Sequence, residues 1–436
     1  MKMKKNKIRV ISAVVSAIML ASSASVFAKF DAYNDPDGFT LGHYEVEVNQ
    51  EQRADTEKLY EQRPKNERQF ENLSRGLVAV PGENGTLVSW RFLGTDSNSL
   101  TYNLYCSGEK LNDEPITTTN FFHTGASTNA EYTLKEVENG EETGVEYTTT
   151  AWDKNYIGFK VTEREGYNID DGAVADLDGD GEYEILLRRV PSMDVNTRTS
   201  YPVIEAYKTD GTHMWTIDIG PNEINEVDIN FLAYDMDGDG KAEVIMRSFE
   251  GTTDGKGNTT GDTNGDGITD YSKSESNLTI FKDRQYIVST PEFLSIYDGE
   301  TGEETDRTDL KPSKEPLSDW SYRYSDTGRL TKRASHYLFG LAYLDGVTPS
   351  VVMVRGAWDN VRAAAWHIED GKFKEDWVHN TENKDDVNSI WGACNHNLVT
   401  VDVDFDGKDE ILSGPMAIDH DGSEMYAVKA YDNDGN

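Results

Sequence analysis

The sequence predicts a nearly all-β protein, with a small amino-terminal β-domain ahead of a repeated array of four-stranded units. Three observations predict it. After Ala151 the chain repeats itself: AVADLDGDGEYEILLRR, FLAYDMDGDGKAEVIMRS, GLAYLDGVTPSVVMVRG and LVTVDVDFDGKDEILSG align as strand, acidic turn, strand. Asp178 and Asp237 are 59 residues apart, as are Asp345 and Asp404; the middle interval is 108, because a long insertion intervenes. The first three units then continue with EAYKTDGTHMW, LSIYDGETGEET and AAWHIEDGKFKEDW, each a strand, an Asp-Gly turn and a strand. No segment carries a long 3.6-residue period, so helix should be scarce. Four strands per unit of roughly 60 residues describe the blades of a β-propeller.

The elements follow in order. Residues 1–28 open with Lys2, Lys4, Lys5, Lys7 and Arg9, continue through an apolar run, and end on Val26 and Ala28, which fit the small-residue cleavage rule. This reads as a secretory signal peptide, too short and wrongly flanked to span a membrane. No later stretch is long and apolar enough to cross one. The remainder is expected to be exported, soluble and monomeric. Residues 29–70 are polar and charged, a leader with room for a short helix. Residues 71–152 show short alternating runs rich in Val, Thr and Tyr, separated by turns such as ENG and SGEK. With Trp90 as a buried anchor and the YNLY strand, they suit a fibronectin-like sandwich. Residues 153–436 hold the propeller.

The chain has 436 residues, 42 basic and 79 acidic. Without the five basic residues of the leading segment, 37 basic side chains face 79 acidic ones, a charge of −42. Nucleic acid needs a basic footprint and is excluded as a partner. Two explanations for so much acid stand side by side: solubility, and neutralisation by bound metal. Cys106 and Cys394, far apart in sequence, read as two separate thiols rather than a disulfide framework.

The acidic turns point to the second explanation. Hard oxygen ligands on a glycine turn suit Ca²⁺. An EF-hand would place a bidentate Glu at loop position 12 between helices, but that position falls on Leu187, Met246, Lys273 and Ser413. A carboxylate recurs instead at position 9, followed by strand-like residues. The expected ligand sets are Asp176, Asp178, Asp180 and Glu184; Asp235, Asp237, Asp239 and Glu243; Asp262, Asn264, Asp266 and Asp270 in the insertion; and Asp402, Asp404, Asp406 and Glu410. Four strings with one 1-3-5-9 spacing are a specific signal, against the plain reading of solvated acidic turns. The turn LDGVTPSV lacks the carboxylates and is expected to hold no ion.

A second feature keeps the same register. Four residues past the position-9 carboxylates stand Arg188 and Arg247, and the repeat interval carries Arg247 to Arg355, with Arg362 on the next strand. Blades aim equivalent positions at one face, so these arginines are expected to converge around a central channel and suit a multiply anionic ligand. The competing reading pairs each arginine with a neighbouring blade's acid. Trp320, Tyr322, Tyr324, Trp358 and Trp391 offer faces for sugar stacking or plain packing. In GACNHNLVTVDVD, His396 lies between Asn395 and Asn397, read either as a turn histidine or as a polar site residue.

At these residues the chain resembles the bacterial rhamnogalacturonan lyases of polysaccharide lyase family 11. The matching strings include RGLVAVPGENGTLVSWRFLGTD, DLDGDGEYEI, EAYKTDGTHMWTIDIG, GTTDGKGNTTGD, RGAWDNVRAAAW and NHNLVTVDVDFDGKDEI, in order over residues 68 to 425. The resemblance implies an eight-bladed calcium-rich propeller behind a small β-domain, and β-elimination on the acidic plant cell-wall polysaccharide rhamnogalacturonan I at its rhamnose–galacturonate bond. It also implies several structural Ca²⁺ ions and one at the site. By the same resemblance His396 is a calcium or uronate contact, Arg355 and Arg362 act with it, and Arg188, Arg247, Asn395 and Asn397 line the cleft.

Two departures qualify the resemblance. The family's Lys-Trp-Asp-Pro-Ser string reads RRVPS here, and the family continues past MYAVKAYDNDGN with a His-Gly-Asp-Ala segment, so the propeller is expected to be incomplete at its carboxyl end. The alternatives to a secreted lyase are a non-catalytic carbohydrate-binding propeller and an inactive truncated homologue.

Overall fold

The structure, a computed structural model, describes residues 28–29, 45–46, 58–125, 129–192, 201–223, 230–282, 284–320, 326–356, 360–381, 390–394 and 396–427. The expected signal peptide, apart from Ala28, lies outside them, as do Asn395, Tyr322, Tyr324 and Trp358. The chain divides into two compact units, Met1–Lys65 with Asp402–Gly407, and Asn66–Val401 with Lys408–Asn436. In the first unit Ala28–Lys29 pairs antiparallel with Glu45–Val46, residues 58–62 are helical, and Tyr60 meets Phe405 edge-on with centroids 5.8 Å apart.

The second unit is nearly all β. Its amino-terminal part forms two antiparallel sheets. One is three-stranded (Val78–Gly82, Gly85–Ser89, Asn120–Thr124) and one four-stranded (Thr101–Cys106, Glu109–Lys110, Glu131–Glu138, Glu141–Thr150). Alternation drives this: Ala79, Val88 and Trp90 from the first side share a buried cluster with Tyr102, Leu104, Tyr132 and Leu134 from the other. Trp90 meets Tyr102 edge-on at 5.2 Å.

The four sequence repeats become four four-stranded antiparallel meanders. The first is Tyr167–Ala175, Glu184–Pro191, Val203–Tyr207 and His213–Asp218. The second is Phe231–Tyr234, Glu243–Phe249, Glu292–Tyr297 and Glu304–Asp309, with the insertion between its second and third strands. The third is Tyr337–Ala342, Ser350–Arg355, Arg362–Glu369 and Lys372–Asn380. The fourth is Val399–Val401, Glu410–Ser413, Met416–Ile418 and Glu424–Ala427. Among the described residues of this unit helix is as scarce as expected: a nine-residue helix, α1 (Thr327–Ser335), capped by Asp326, and short 3₁₀ turns.

The sheets stack face to face. Leu186 and Ile204 of the first meet Val244 and Met246 of the second. Ile245, Leu294 and Ile296 on the second sheet's other side meet Val351, Met353, Ala364 and Trp366 of the third. Val352, Val354 and Ala365 then face Ile411, Met416 and Ile418 of the fourth. A sheet buried on both faces loses simple alternation, which is why Ser350–Arg355 is buried throughout.

Residues 68–75 run along the acidic-turn ends of these sheets, so part of the expected leader is docked. Ser74 N–H donates to Gly181 O at 2.8 Å at the first turn, and Gln69 Nε2 to Asp235 O at 3.2 Å at the second. Gln69 N–H donates to Val347 O (2.8 Å) at the third, and Arg68 pairs with Asp409 at 2.8 Å beside the fourth sheet.

Candidate functional site

Each acidic turn is built by its first aspartate. Asp176 accepts from the backbone N–H of Gly179 (2.8 Å), Asp180 (3.1 Å) and Gly181 (2.8 Å). Asp235 does the same with Gly238 (2.7 Å) and Gly240 (3.1 Å), and Asp262 with Gly265 (2.7 Å) and Gly267 (2.8 Å). The turn needs left-handed backbone at its glycines, as at Gly238 and Gly240 with φ of +81° and +93°. The chain folded this way brings carboxylate oxygens of Asp176, Asp178 and Asp180 within 4.8 Å of one another, and likewise those of Asp235, Asp237 and Asp239. The position-9 acids reach back: Glu184 accepts from Leu177 N–H at 2.8 Å and Glu243 from Met236 N–H at 2.9 Å.

Burial raises the carboxyls of Asp176, Glu184, Asp235 and Asp237. Burial first, then repulsion from Asp237, Asp235 and Asp239, pushes Glu243 to about 8. One oxygen of Asp178 is buried without a hydrogen-bond partner. Converging, desolvated, mutually repelling carboxylates with an orphaned oxygen fit a hard divalent cation. At the first turn the ammonium of Lys208 contacts Asp178 and lies 3.5 Å from Asp180 and 3.4 Å from Glu184, doing part of a cation's work.

The other two expected sets differ. In the insertion, Asp270 turns away: it caps the 3₁₀ turn Tyr271–Lys273 and pairs with Lys273 at 3.0 Å, while Asp266 accepts from the Tyr271 hydroxyl at 2.8 Å. Asp262, Asp266 and Asp270 therefore do not converge, and the sequence spacing could not show that a following Tyr and Lys would compete for the carboxylates. The last set is divided between the units. Asp402 accepts from Gly407 N–H and Asp404 from Asp406 N–H, both at 3.1 Å, in the first unit; Glu410 opens a strand of the second, fully buried. The turn at Asp345 has no ligand set, and Asp345 accepts from Val347 and Thr348 N–H, both at 2.7 Å.

The arginines do not hold equivalent positions. Glu184 pairs with Ala175 and Glu243 with Tyr234, whereas in the third sheet Ser350 pairs with Ala342. The third turn is one residue shorter. Arg188 and Arg247 thus stand four residues beyond the first pair, Arg355 five. One step of register reverses a side chain's face, so Arg355 points back toward the second sheet, in phase with Met353, and Val354 holds the place of Arg247. Equal sequence intervals concealed this shorter turn.

The result is a buried cluster between the second and third sheets. Glu292 takes Arg355 at 2.7 Å and Arg247 at 3.2 Å, with Lys314 at 3.8 Å; Arg247 also contacts Glu223. Burial alone would raise Glu292, but Arg355, Lys314 and Arg247 outweigh it and hold the carboxyl at about 2. Burial pulls Lys314 and Arg355 down. Arg362, on the same face, pairs with Asp319, donates to Ser313 O at 2.8 Å and lies over Trp320 at 5.1 Å. Trp320 is buried, its indole N–H bound to Lys314 O at 2.7 Å. Arg188 lies apart with Asp170 and Asp171. Glu292 and Lys314 were missed in the sequence; an acid opening the otherwise apolar run EFLSIY was the available signal.

His396 is exposed, and its ring meets His336 at 4.9 Å with the planes at 65°. Asn397 accepts from Gly414 N–H at 3.0 Å, which fixes the loop beside the fourth sheet. His336 was not singled out in the sequence, since only folding brings the two histidines together.

Residues 158–436 match the family model described as Rhamnogalacturonan lyase family 11, C-terminal domain. The chain belongs to rhamnogalacturonan lyase family 11. Residues 68–152 match the Rhamnogalacturonan I lyases beta-sheet domain. The Rhamnogalacturonan endolyase YesW of Bacillus subtilis (strain 168) is 38% identical over 376 residues, 83% of this chain and 57% of that protein. The Rhamnogalacturonan exolyase YesX of the same organism is 37% identical over 378 residues, 83% of this chain and 58% of that protein. This family 11 chain thus spans less than two thirds of the curated relatives it matches. Its nearly all-β fold matches the solved exotype lyase YesX, with a TM-score of 0.71 at 37% identity over 83% of this chain and 59% of that one. The Bacillus licheniformis rhamnogalacturonan lyase matches with a TM-score of 0.70 at 36% identity, over 83% of this chain and 61% of that one.

Proposed function

We propose that this chain is a secreted pectin-degrading lyase that cleaves the rhamnose–galacturonate bond of rhamnogalacturonan I by β-elimination. The observation that carries the reading is membership of family 11 together with 38% identity to an endolyase. In this reading the four meanders are propeller blades, residues 71–152 a fibronectin-like domain, and residues 1–28 the export signal. Calcium, held at Asp176, Asp178, Asp180 and Glu184 and at Asp235, Asp237, Asp239 and Glu243, braces the turns. A cation near His396 would neutralise the uronate carboxylate and so acidify the proton on C5. The chain's own residues bind and orient: His396 and Asn397 present polar groups beside the fourth sheet, and an imidazole there can accept or hold a proton. The pairing of Arg188, Arg247, Arg355 and Arg362 with internal acids favours a second reading, a non-catalytic carbohydrate-binding array. Ultraviolet absorbance of the unsaturated uronate product, with rhamnogalacturonan I and Ca²⁺, decides between them. A rise that is lost in His396→Ala is expected; saturable binding of the polysaccharide with no rise would establish the second reading.

A further inference from the structure

The buried arginines end on a histidine. The Arg247 guanidinium lies 4.4 Å over the Tyr337 ring and donates to Ser335 O at 3.4 Å, so it grips the residues on both sides of His336. His336 closes α1, its N–H donating to Arg333 O at 3.3 Å. Its carbonyl accepts from Gly356 N–H at 2.9 Å, the residue after Arg355, which itself pairs with Tyr337 across the sheet. Gly356 has φ of +104°, and a Cβ there would meet Asn360 O at 2.2 Å and Trp320 at 2.6 Å, so this anchor tolerates no side chain. Glu292 ties Arg247 to Arg355. Two hydrogen bonds therefore fix the His336 backbone while Arg247 holds the residues on either side of it, and its ring is delivered against exposed His396. The two histidines precede the first strands of adjacent sheets.

We infer that His336 is a second imidazole of the site at His396, and that Arg247 and Arg355, joined through Glu292, are positioning residues for it rather than substrate contacts. The inference deepens the proposed lyase reading and rests on it. The ligand class is a uronate carboxylate. Imidazole N–H groups from two loops can donate to it together, and such paired donors orient a planar carboxylate better than one. The arrangement also explains why the guanidiniums are buried: they act through the helix end and do not reach the ligand.

The test uses the full chain and the ring ¹⁵N–¹H signals of its histidines, assigned by their loss in His336→Gln and His396→Gln. A rhamnogalacturonan I oligosaccharide is expected to shift both signals with one Kd, and His336→Gln to weaken that Kd about tenfold, the worth of one charge-assisted hydrogen bond. Arg247→Met is expected to move the His336 signal in the free protein and raise KM, with Arg247→Lys restoring part of both. An oligosaccharide that shifts His396 alone, or an Arg247→Met protein whose His336 signal is unmoved, overturns the inference. Turnover in the absorbance assay with neither histidine shifted overturns it while leaving the lyase reading intact; absence of both turnover and binding removes that reading as well. Should Arg247→Met fail to fold, His336→Gln at the half-buried helix end decides, and an unchanged Kd there sinks the idea.

Discussion

Glu292 shows what one residue can hold together. It opens a strand of the second sheet and neutralises cations from the second and third sheets and from the connection between them. Removing one partner of such a buried pair leaves uncompensated charge, so Glu292→Gln is expected to cost about 3–5 kcal/mol at neutral pH by chemical denaturation. The pH dependence has a definite sign. The carboxyl falls from 4.5 to about 2 on folding, so its contribution is fully present above pH 4.5 and is lost as pH falls through about 2. The wild-type protein should therefore lose stability steeply across that window, and Glu292→Gln should show a flatter acid limb. Equal slopes in the two proteins would mean that the carboxylate is not clamped. At this scale the sequence was legible for which residue types recur in each repeat and poorly legible for facing. Arg355 was found by counting, but a turn shorter by one residue sets which way it points, and no residue in LDGVTPSV announces that shortening.

Among the elements, the acidic turns were the most legible feature, because their geometry is local: one aspartate, two glycines and a fixed spacing suffice. Where a competitor follows in sequence, as Tyr271 and Lys273 do, locality fails and the ligand set does not close. Least legible was the segment 68–75, which straddles the boundary between the expected leader and the expected sandwich and docks only because its partners come from four distant turns. Its contacts separate two kinds of brace. On the proposed reading a cation relieves the turns with converging carboxylates, so chelation should lower the melting temperature by about 5 °C or more, and Asp235→Asn should blunt that response. The third turn has no such set. There Tyr343 donates its hydroxyl to Gln69 O at 2.6 Å and its N–H to Asp409 at 3.0 Å, and Arg68 bonds Asp409 while lying 4.6 Å over the Tyr343 ring. A guanidinium takes the role of the ion. Arg68→Ala should accordingly cost about 1–3 kcal/mol, by the same amount in calcium and in chelator. A cost that vanishes in chelator would show that the segment depends on occupied turns.

For the molecule as a whole, the repeat period alone announced four units, and four meanders are what the chain forms. The period is legible because each unit is local, closed by short turns. The stacking is not, because it depends on which face of each strand meets which neighbour. Stability in such a stack is a sum of sheet stabilities and nearest-neighbour interfaces. Interior interfaces should therefore be expensive to damage, and the first strands of the first and fourth sheets cheap. Ile245 is fully buried between the second and third sheets, whereas Val399, on the first strand of the fourth, is 50% exposed and Ile169, on that of the first, 55%. Ile245→Ala removes buried methylenes where neither sheet can collapse into the space, and is expected to cost about 2–5 kcal/mol. Val399→Ala should stay within about 0.5 kcal/mol. Denaturant titrations of the two variants make the comparison at constant metal. A loss at Val399 equal to that at Ile245 would show the fourth sheet's first strand to be covered in solution, and would overturn the nearest-neighbour account of how this array is held.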